Sequence, residues 1–334
     1  MKDLNGIIVI EADGAELGTF VHRHAPALNE AVATAGAVLV TGAEAEGVGG
    51  FQGALDALGF RPLAYTERST PRSEVGDGVF TSTEYPAREV IPQHCESSYA
   101  GAWPGRLAFY CATPARTGGA TPITDVARVL QEIPAEVVDA VGTRGLRYVR
   151  NYGSGVGLDW REAFQTDSRE EVEAFCVAGG LQWQWLDDDR LRTVRNAPAT
   201  AVHPRTGRRI WFNHLVLFHQ SSLPGTLRTD LVGLLGEDAL PNDVLFGDGS
   251  PIPDDMVAAV RSAFERHAVR FDWRRHDLMV IDNMRWSHGR EAFTGERRVL
   301  VSMSDLISRA DLATAPAGRQ SSYAPLTASG KTSQ

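Results

Sequence analysis

Between Ile91 and Asp125 the chain reads IPQHCESSYAGAWPGRLAFYCATPARTGGATPITD. A histidine and a glutamate stand two residues apart, His94 and Glu96. An apolar run follows, then a Gly-Gly pair and Thr121. In an extended segment residues i and i+2 share a face. An imidazole and a carboxylate on one face can grip a metal, or they can form an ordinary polar pair at a strand end. Cys95, between them, would point the other way.

A second stretch, Leu278 to Met303, supplies what the first lacks. It reads LMVIDNMRWSHGREAFTGERRVLVSM. A strand ends at Asp282-Asn283, His288 follows, and a glycine-containing turn leads to a strand that opens with Arg297-Arg298. Two histidines and one carboxylate are the facial set that suits Fe(II) while leaving coordination positions open. A bidentate dicarboxylate co-substrate would then need a cation for its far end. A guanidinium fits best, because its planar fork matches a carboxylate. Zinc hydrolases also use two histidines and a carboxylate, but they have no need of such an arginine.

The elements that must position these residues follow from hydrophobic pattern. Gly6 to Ile10, Ala37 to Thr41, Leu107 to Ala112, Arg209 to Asn213, Leu278 to Asp282 and Val299 to Met303 read as strands rich in β-branched and aromatic residues. Phe20 to Ala35 has helical character. Asp125 is placed to cap a helix carrying Val126, Val129, Leu130 and Ile133, and Pro253-Asp254-Asp255 starts another. Arg150 to Arg195 is richer in charge and tryptophan and reads as an insertion. From Ala313 to the end, Ala, Pro, Ser, Thr and Gly dominate, and a disordered tail is expected. Short strands with helices gathered in a few places indicate a β-sandwich or barrel with flanking helices, in one domain over residues 1–312. Regular strand-helix alternation and a glycine-rich nucleotide fingerprint after the first strand are missing, so a doubly wound nucleotide fold is not expected.

Bulk properties narrow the partners. The chain has 334 residues, is 43% hydrophobic and 22% charged, and carries a net charge of -9. That balance argues against nucleic acid and anionic membrane surfaces. No apolar run approaches the roughly 20 residues of a membrane span, and the first residues lack a signal-peptide core. Three widely spaced cysteines, Cys95, Cys111 and Cys176, make neither a disulfide framework nor a zinc spacing. A cytoplasmic protein is expected.

Taken together, TSTEYPAREVIPQHCESSYAGAWPGRLAFYCATPARTGGATPITD, AVHPRTGRRIWFNH and IDNMRWSHGREAFTGERRVLVSM resemble the TauD/TfdA-type Fe(II)/2-oxoglutarate-dependent oxygenases. The branch most similar is the clavaminate-synthase-like and SyrP-like amino-acid hydroxylases, and the resemblance runs from about Gly6 to Asp305. It implies a mainly β fold, a double-stranded β-helix or jelly roll with flanking helices. It implies that His94, Glu96 and His288 bind iron, that Thr121 bonds 2-oxoglutarate, and that Arg298, opening an R-x-L pattern, pairs with its distal carboxylate. Alternation along the strand allows only one of Arg297 and Arg298 to face inward. The implied reaction is hydroxylation of an unactivated carbon of an amino acid, free or tethered to an acyl or peptidyl carrier protein. Desaturation, cyclisation and epoxidation use the same site. Related halogenases lack the carboxylate that Glu96 provides, so halogenation is not expected. Ser302, four residues after Arg298, stands where some relatives carry a substrate-binding arginine.

Other residues admit two readings. Arg72 is either near the substrate or a solvated loop arginine. Asn213 either lines the pocket or does not face it, and His203 and His214, which flank its strand, are read as surface or core histidines. Asp282 and Asn283 either orient His288 or cap the strand end, and Trp103 and Pro104 are expected to pack.

Overall fold

The structure, a computed structural model, describes residues 2–45, 47–63, 67–82 and 85–314. Two sheets carry the site. The larger has eight strands in the order Lys2–Leu4, Ile7–Glu11, Ala37–Thr41, Leu278–Asp282, Ala102–Thr113, Arg298–Ser308, Val79–Thr81 and Glu74–Gly76. The smaller has three, with Trp286–Arg290 between Ile91–His94 and Ile123–Asp125. All pairings are antiparallel except that of Ile7–Glu11 with Ala37–Thr41. That parallel pair needs a crossover, and the helix Leu17–Ala35 supplies it.

Period-two alternation decides which face each strand buries. Leu107, Phe109, Met279, Ile281, Val299 and Val301 point inward and meet Ile123 and Trp286 of the smaller sheet. Tyr110, Leu278, Val280 and Leu300 point outward, where the helices Leu17–Ala35 and Gly47–Ala57 cover them with Val21, Leu28, Phe51 and Leu55. The larger sheet is therefore apolar on both faces, which is why its strands read as nearly continuous hydrophobic runs. The helix Val126–Glu132 is capped as expected, with the Asp125 carboxylate accepting from the N–H groups of Ala127 and Arg128.

The region read as an insertion over Arg150 to Arg195 is larger than those bounds. It belongs to a separate four-stranded sheet, Gln182–Trp185, Leu191–Ala197, Leu146–Tyr152 and Asn242–Phe246, with the helices Trp160–Phe164 and Arg169–Ala178 packed on it. Leu146, Tyr148 and Val244 bury one face of this sheet against the helices Val126–Glu132 and Asp254–His267, so its strands Leu146–Tyr152 and Asn242–Phe246 are part of that core. The tail expected from Ala313 lies outside the described residues beyond the helix Arg309–Thr314. The fold is a jelly roll with a parallel β-α-β unit on one edge, and helix is about as abundant as strand.

Candidate active site

The smaller sheet brings the metal motifs together. His288 pairs directly with His94 across the antiparallel strands, and on its other side with Ile123. The strand ends at His94, and Glu96 reaches in from the turn that follows. One ligating atom from each of His94, Glu96 and His288 lies within 4.8 Å of the others, and all three residues are buried. His288 Nε2 is 3.7 Å from Glu96 Oε2.

The donor set fits a divalent metal. Burial, and for His288 also the neighbouring His94, pushes both imidazoles below their ordinary pKa, so both are neutral and offer lone pairs. His94 donates from Nδ1 to the Pro92 carbonyl at 2.8 Å, which leaves Nε2 as its free acceptor. Burial alone would raise the Glu96 carboxyl. The Arg72 guanidinium is the largest opposing influence, and the balance brings the group to about 2, so the carboxylate is ionised. His288 Nδ1 is buried with no hydrogen-bond partner among the described residues.

Beside the triad opens a pocket lined by Arg72, His94, Phe109, Thr121, His288, Arg290, Arg297, Val299 and Val301. Arg297 faces it. Its Nε donates to the Gly119 carbonyl at 2.8 Å, and Nη2 reaches Thr121 Oγ1 at 3.2 Å. Burial, and then repulsion from Arg290, lowers its pKa to about 10, as desolvation of a cation does. Gly119, with φ 73°, leaves the room Arg297 needs: a Cβ there would stand 3.0 Å from Arg297 Cδ. Thr121 Oγ1 also accepts from Trp273 Nε1 at 2.9 Å. With two donors on its oxygen, the hydroxyl keeps its hydrogen for a third group in the pocket.

Arg298, expected to face the co-substrate, is exposed and outside the pocket lining. The physical reason is register. Arg297 lies on the face of Val299 and Val301, and Arg298 on that of Leu300. A one-residue slip would carry Val299, Leu300 and Val301 to the wrong sides, at roughly 1.5–3 kcal/mol for each apolar side chain exposed. A bulge between Arg298 and Val299 locally offsets the pairing with Ala102–Thr113. The same shift moves the position four residues on. Val301, not Ser302, faces the pocket, and Ser302 is buried on the opposite side.

Arg72 is not a solvated loop residue. It is buried in the pocket wall and donates to Glu96 Oε2 at 2.8 Å. Asn213 does not line the pocket: its amide donates to the Ala199 carbonyl and accepts from the Leu215 N–H. His203 is bound to Asp282 at 3.0 Å. His214 lies against the triad, its ring centroid 5.3 Å from that of His94 and its Nδ1 2.7 Å from Ser98 Oγ. Among the described residues no hydrogen bond joins Asp282 or Asn283 to His288; Asn283 bonds to the backbone of Glu96. Trp103 packs in the core, as expected. Trp273, Arg290 and Ser82 were not singled out from sequence. Arg290 is spent on the carbonyls of Tyr85, Pro86 and Glu89, and Ser82 lies 3.4 Å from Arg297 Nη1.

The profile of the taurine catabolism dioxygenase TauD, TfdA family matches residues 2–304. The chain belongs to the TauD/TfdA family. As a TauD/TfdA protein it is an Fe(II)/2-oxoglutarate-dependent oxygenase, and the zinc-hydrolase alternative falls away. It is 38% identical over 299 residues to the dapdiamide synthesis protein DdaC of Enterobacter agglomerans, covering 90% of each chain. It is 32% identical over 282 residues to a clavaminate synthase-like protein of Arabidopsis thaliana, covering 80% of this chain and 81% of that one. Among solved structures, PvcB of Pseudomonas aeruginosa superposes with a TM-score of 0.52 at 16% identity, over 89% of this chain and 85% of that one. An asparagine oxygenase gives 0.52 at 12% identity, over 89% and 93%. The two structural likenesses establish the jelly-roll fold alone. Among the described residues no helix is long and apolar enough to cross a membrane.

Proposed function

We propose that this TauD/TfdA enzyme hydroxylates an unactivated carbon of an amino acid or amino-acid-derived substrate in natural-product biosynthesis. The observation that carries the site assignment is the convergence of His94, Glu96 and His288 with Arg297 and Thr121 around one pocket. The substrate class rests on the similarity to a dapdiamide synthesis protein.

In this reading His94, Glu96 and His288 hold Fe(II). The metal, when bound, supplies oxidative decarboxylation of 2-oxoglutarate and delivery of oxygen to carbon. The chain's own groups do the rest. Arg297 pairs with the distal carboxylate of 2-oxoglutarate, and Thr121 donates its free hydroxyl hydrogen to the same group. Phe109, Val299 and Val301 make the apolar wall that keeps water from the reacting centre. Arg72 holds the oxygen of Glu96 that faces His288 and stands at the edge of the space left for substrate.

The substrate is an amino acid, free or tethered to an acyl or peptidyl carrier protein. The described part of residues 1–312 acts as one oxygenase domain, and its three buried free cysteines support a reducing, cytoplasmic setting. Iron-loaded enzyme with 2-oxoglutarate and a panel of free and carrier-bound amino acids tests the reading by mass spectrometry. Succinate with a product heavier by one oxygen atom supports hydroxylation. Succinate with a product lighter by two hydrogens would assign desaturation or cyclisation instead. Because epoxidation of an alkene also adds one oxygen, saturated and unsaturated substrates are run separately.

A further inference from the structure

Past the strand Leu278–Asp282, the chain turns at Asn283 before entering the strand that carries His288. Asn283 is completely buried. Its Oδ1 accepts from the backbone N–H of Glu96 at 2.7 Å, and its Nδ2 donates to the carbonyls of Glu96 at 3.0 Å and Pro104 at 2.8 Å. The pattern fixes the orientation of the amide, because the N–H can only donate and the two carbonyls only accept. The turn is itself anchored. The Asn283 N–H donates to the Gly105 carbonyl at 2.9 Å, and Asp282 is bound by His203 and Arg205.

We infer that Asn283 is the positioning residue for the metal-binding carboxylate. Its side chain holds the peptides on both sides of Glu96 and so aims the carboxylate at His94 and His288 before an ion arrives. The need is visible in the backbone: Ser97, immediately after Glu96, has φ 55°, a left-handed conformation that serine adopts only when its surroundings impose it. One turn thus leads into the strand of one ligand and clamps another that is remote in sequence. The inference rests on the iron-site reading, with Asn283 acting through Glu96 and not on substrate.

Asn283→Asp keeps the acceptor for the Glu96 N–H but turns a donor into an acceptor against two carbonyls. Asn283→Ser removes the reach while leaving room for water. Anaerobic titration with Fe(II) and Co(II) should show affinity falling about ten- to a hundredfold in either variant. Val244→Ala, in the far sheet, should lower thermal stability while leaving metal affinity unchanged. In metal-free wild type, the Glu96 amide should be protected from hydrogen exchange. A folded Asn283 variant with wild-type metal affinity, or rapid exchange at Glu96 in the wild-type apoprotein, would overturn the inference. Failure of the wild type to bind either metal would overturn the iron-site reading instead.

Discussion

His94 and His288 are direct cross-strand partners in the smaller sheet, with ring centroids 4.4 Å apart. Pairing of antiparallel strands, not loop placement, therefore sets the distance between the two imidazoles. Cross-strand neighbours stand about 4.5–5.5 Å apart at Cβ, which suits two side chains reaching for one ion. Glu96 joins them from the turn beyond the strand, where its backbone is separately held.

Removing one ligand leaves too few for a facial site. His288→Ala and Glu96→Ala should each nearly abolish Fe(II) binding and 2-oxoglutarate-dependent succinate formation. Isothermal titration and a succinate assay check this. Wild-type turnover in His288→Ala would move the distal ligand to another histidine, of which His214 is the neighbour.

The arginine pair gives a prediction about register. A charge-assisted bidentate pair in a partly desolvated pocket is worth at least roughly 1.5–3 kcal/mol, so Arg297→Ala should raise the KM for 2-oxoglutarate about ten- to several-hundredfold. Arg298→Ala should leave it nearly unchanged. Arg297→Lys should restore binding only in part, because the charge returns without the fork. Steady-state titration of 2-oxoglutarate at saturating iron separates the three variants.

Thr121 and Trp273 should behave as one unit. Thr121→Ala removes a neutral donor and should raise the same KM about two- to tenfold. Trp273→Phe keeps the bulk but loses the N–H, leaving the hydroxyl free to turn. Its effect should be smaller, and the double variant should be no worse than Thr121→Ala alone. Additive losses would mean that Trp273 acts independently of the hydroxyl.

The buried pair of Glu67 and Arg195, 3.3 Å apart, predicts a pH-dependent stability. Burial raises the Glu67 pKa against the opposing pull of Arg195 and Arg150. Arg195→Met strands the carboxylate and should destabilise the fold by about 3–5 kcal/mol at neutral pH. A carboxyl with a raised folded pKa binds more protons in the native state than unfolded. The variant's stability should therefore rise as pH falls from neutral toward the unfolded value of about 4.3. Urea unfolding at several pH values reads this directly, and a deficit independent of pH would assign the loss to packing.

What was legible in the sequence was local. His94 and Glu96 are two residues apart, the strands Ala37–Thr41 and Leu278–Asp282 are unbroken apolar runs, and the Asp125 cap stands next to its helix. Simple alternation along the strand holds, and the inward burial of Val299 and Val301 puts Arg297, not Arg298, on the pocket face; the R-x-L likeness points to the wrong one of the pair. Asn213 was misread because a buried amide can as well satisfy backbone as face a pocket. Trp273, Arg290 and the clamp at Asn283 act on segments distant in the chain, so no spacing announces them. The four-stranded sheet exceeds the stretch Arg150 to Arg195 because its outer strand, Asn242–Phe246, arrives so much later in the chain.

The central claim is that Fe(II) held by His94, Glu96 and His288 binds 2-oxoglutarate whose far end rests on Arg297. Anaerobic titration of 2-oxoglutarate into Fe(II)-loaded protein, followed by the visible charge-transfer absorption of the chelate, tests it most directly. The account predicts a saturable band in wild type and in Arg298→Ala, displaced to much higher 2-oxoglutarate in Arg297→Ala. No band in the iron-loaded wild type, or equal saturation in wild type and Arg297→Ala, would contradict it.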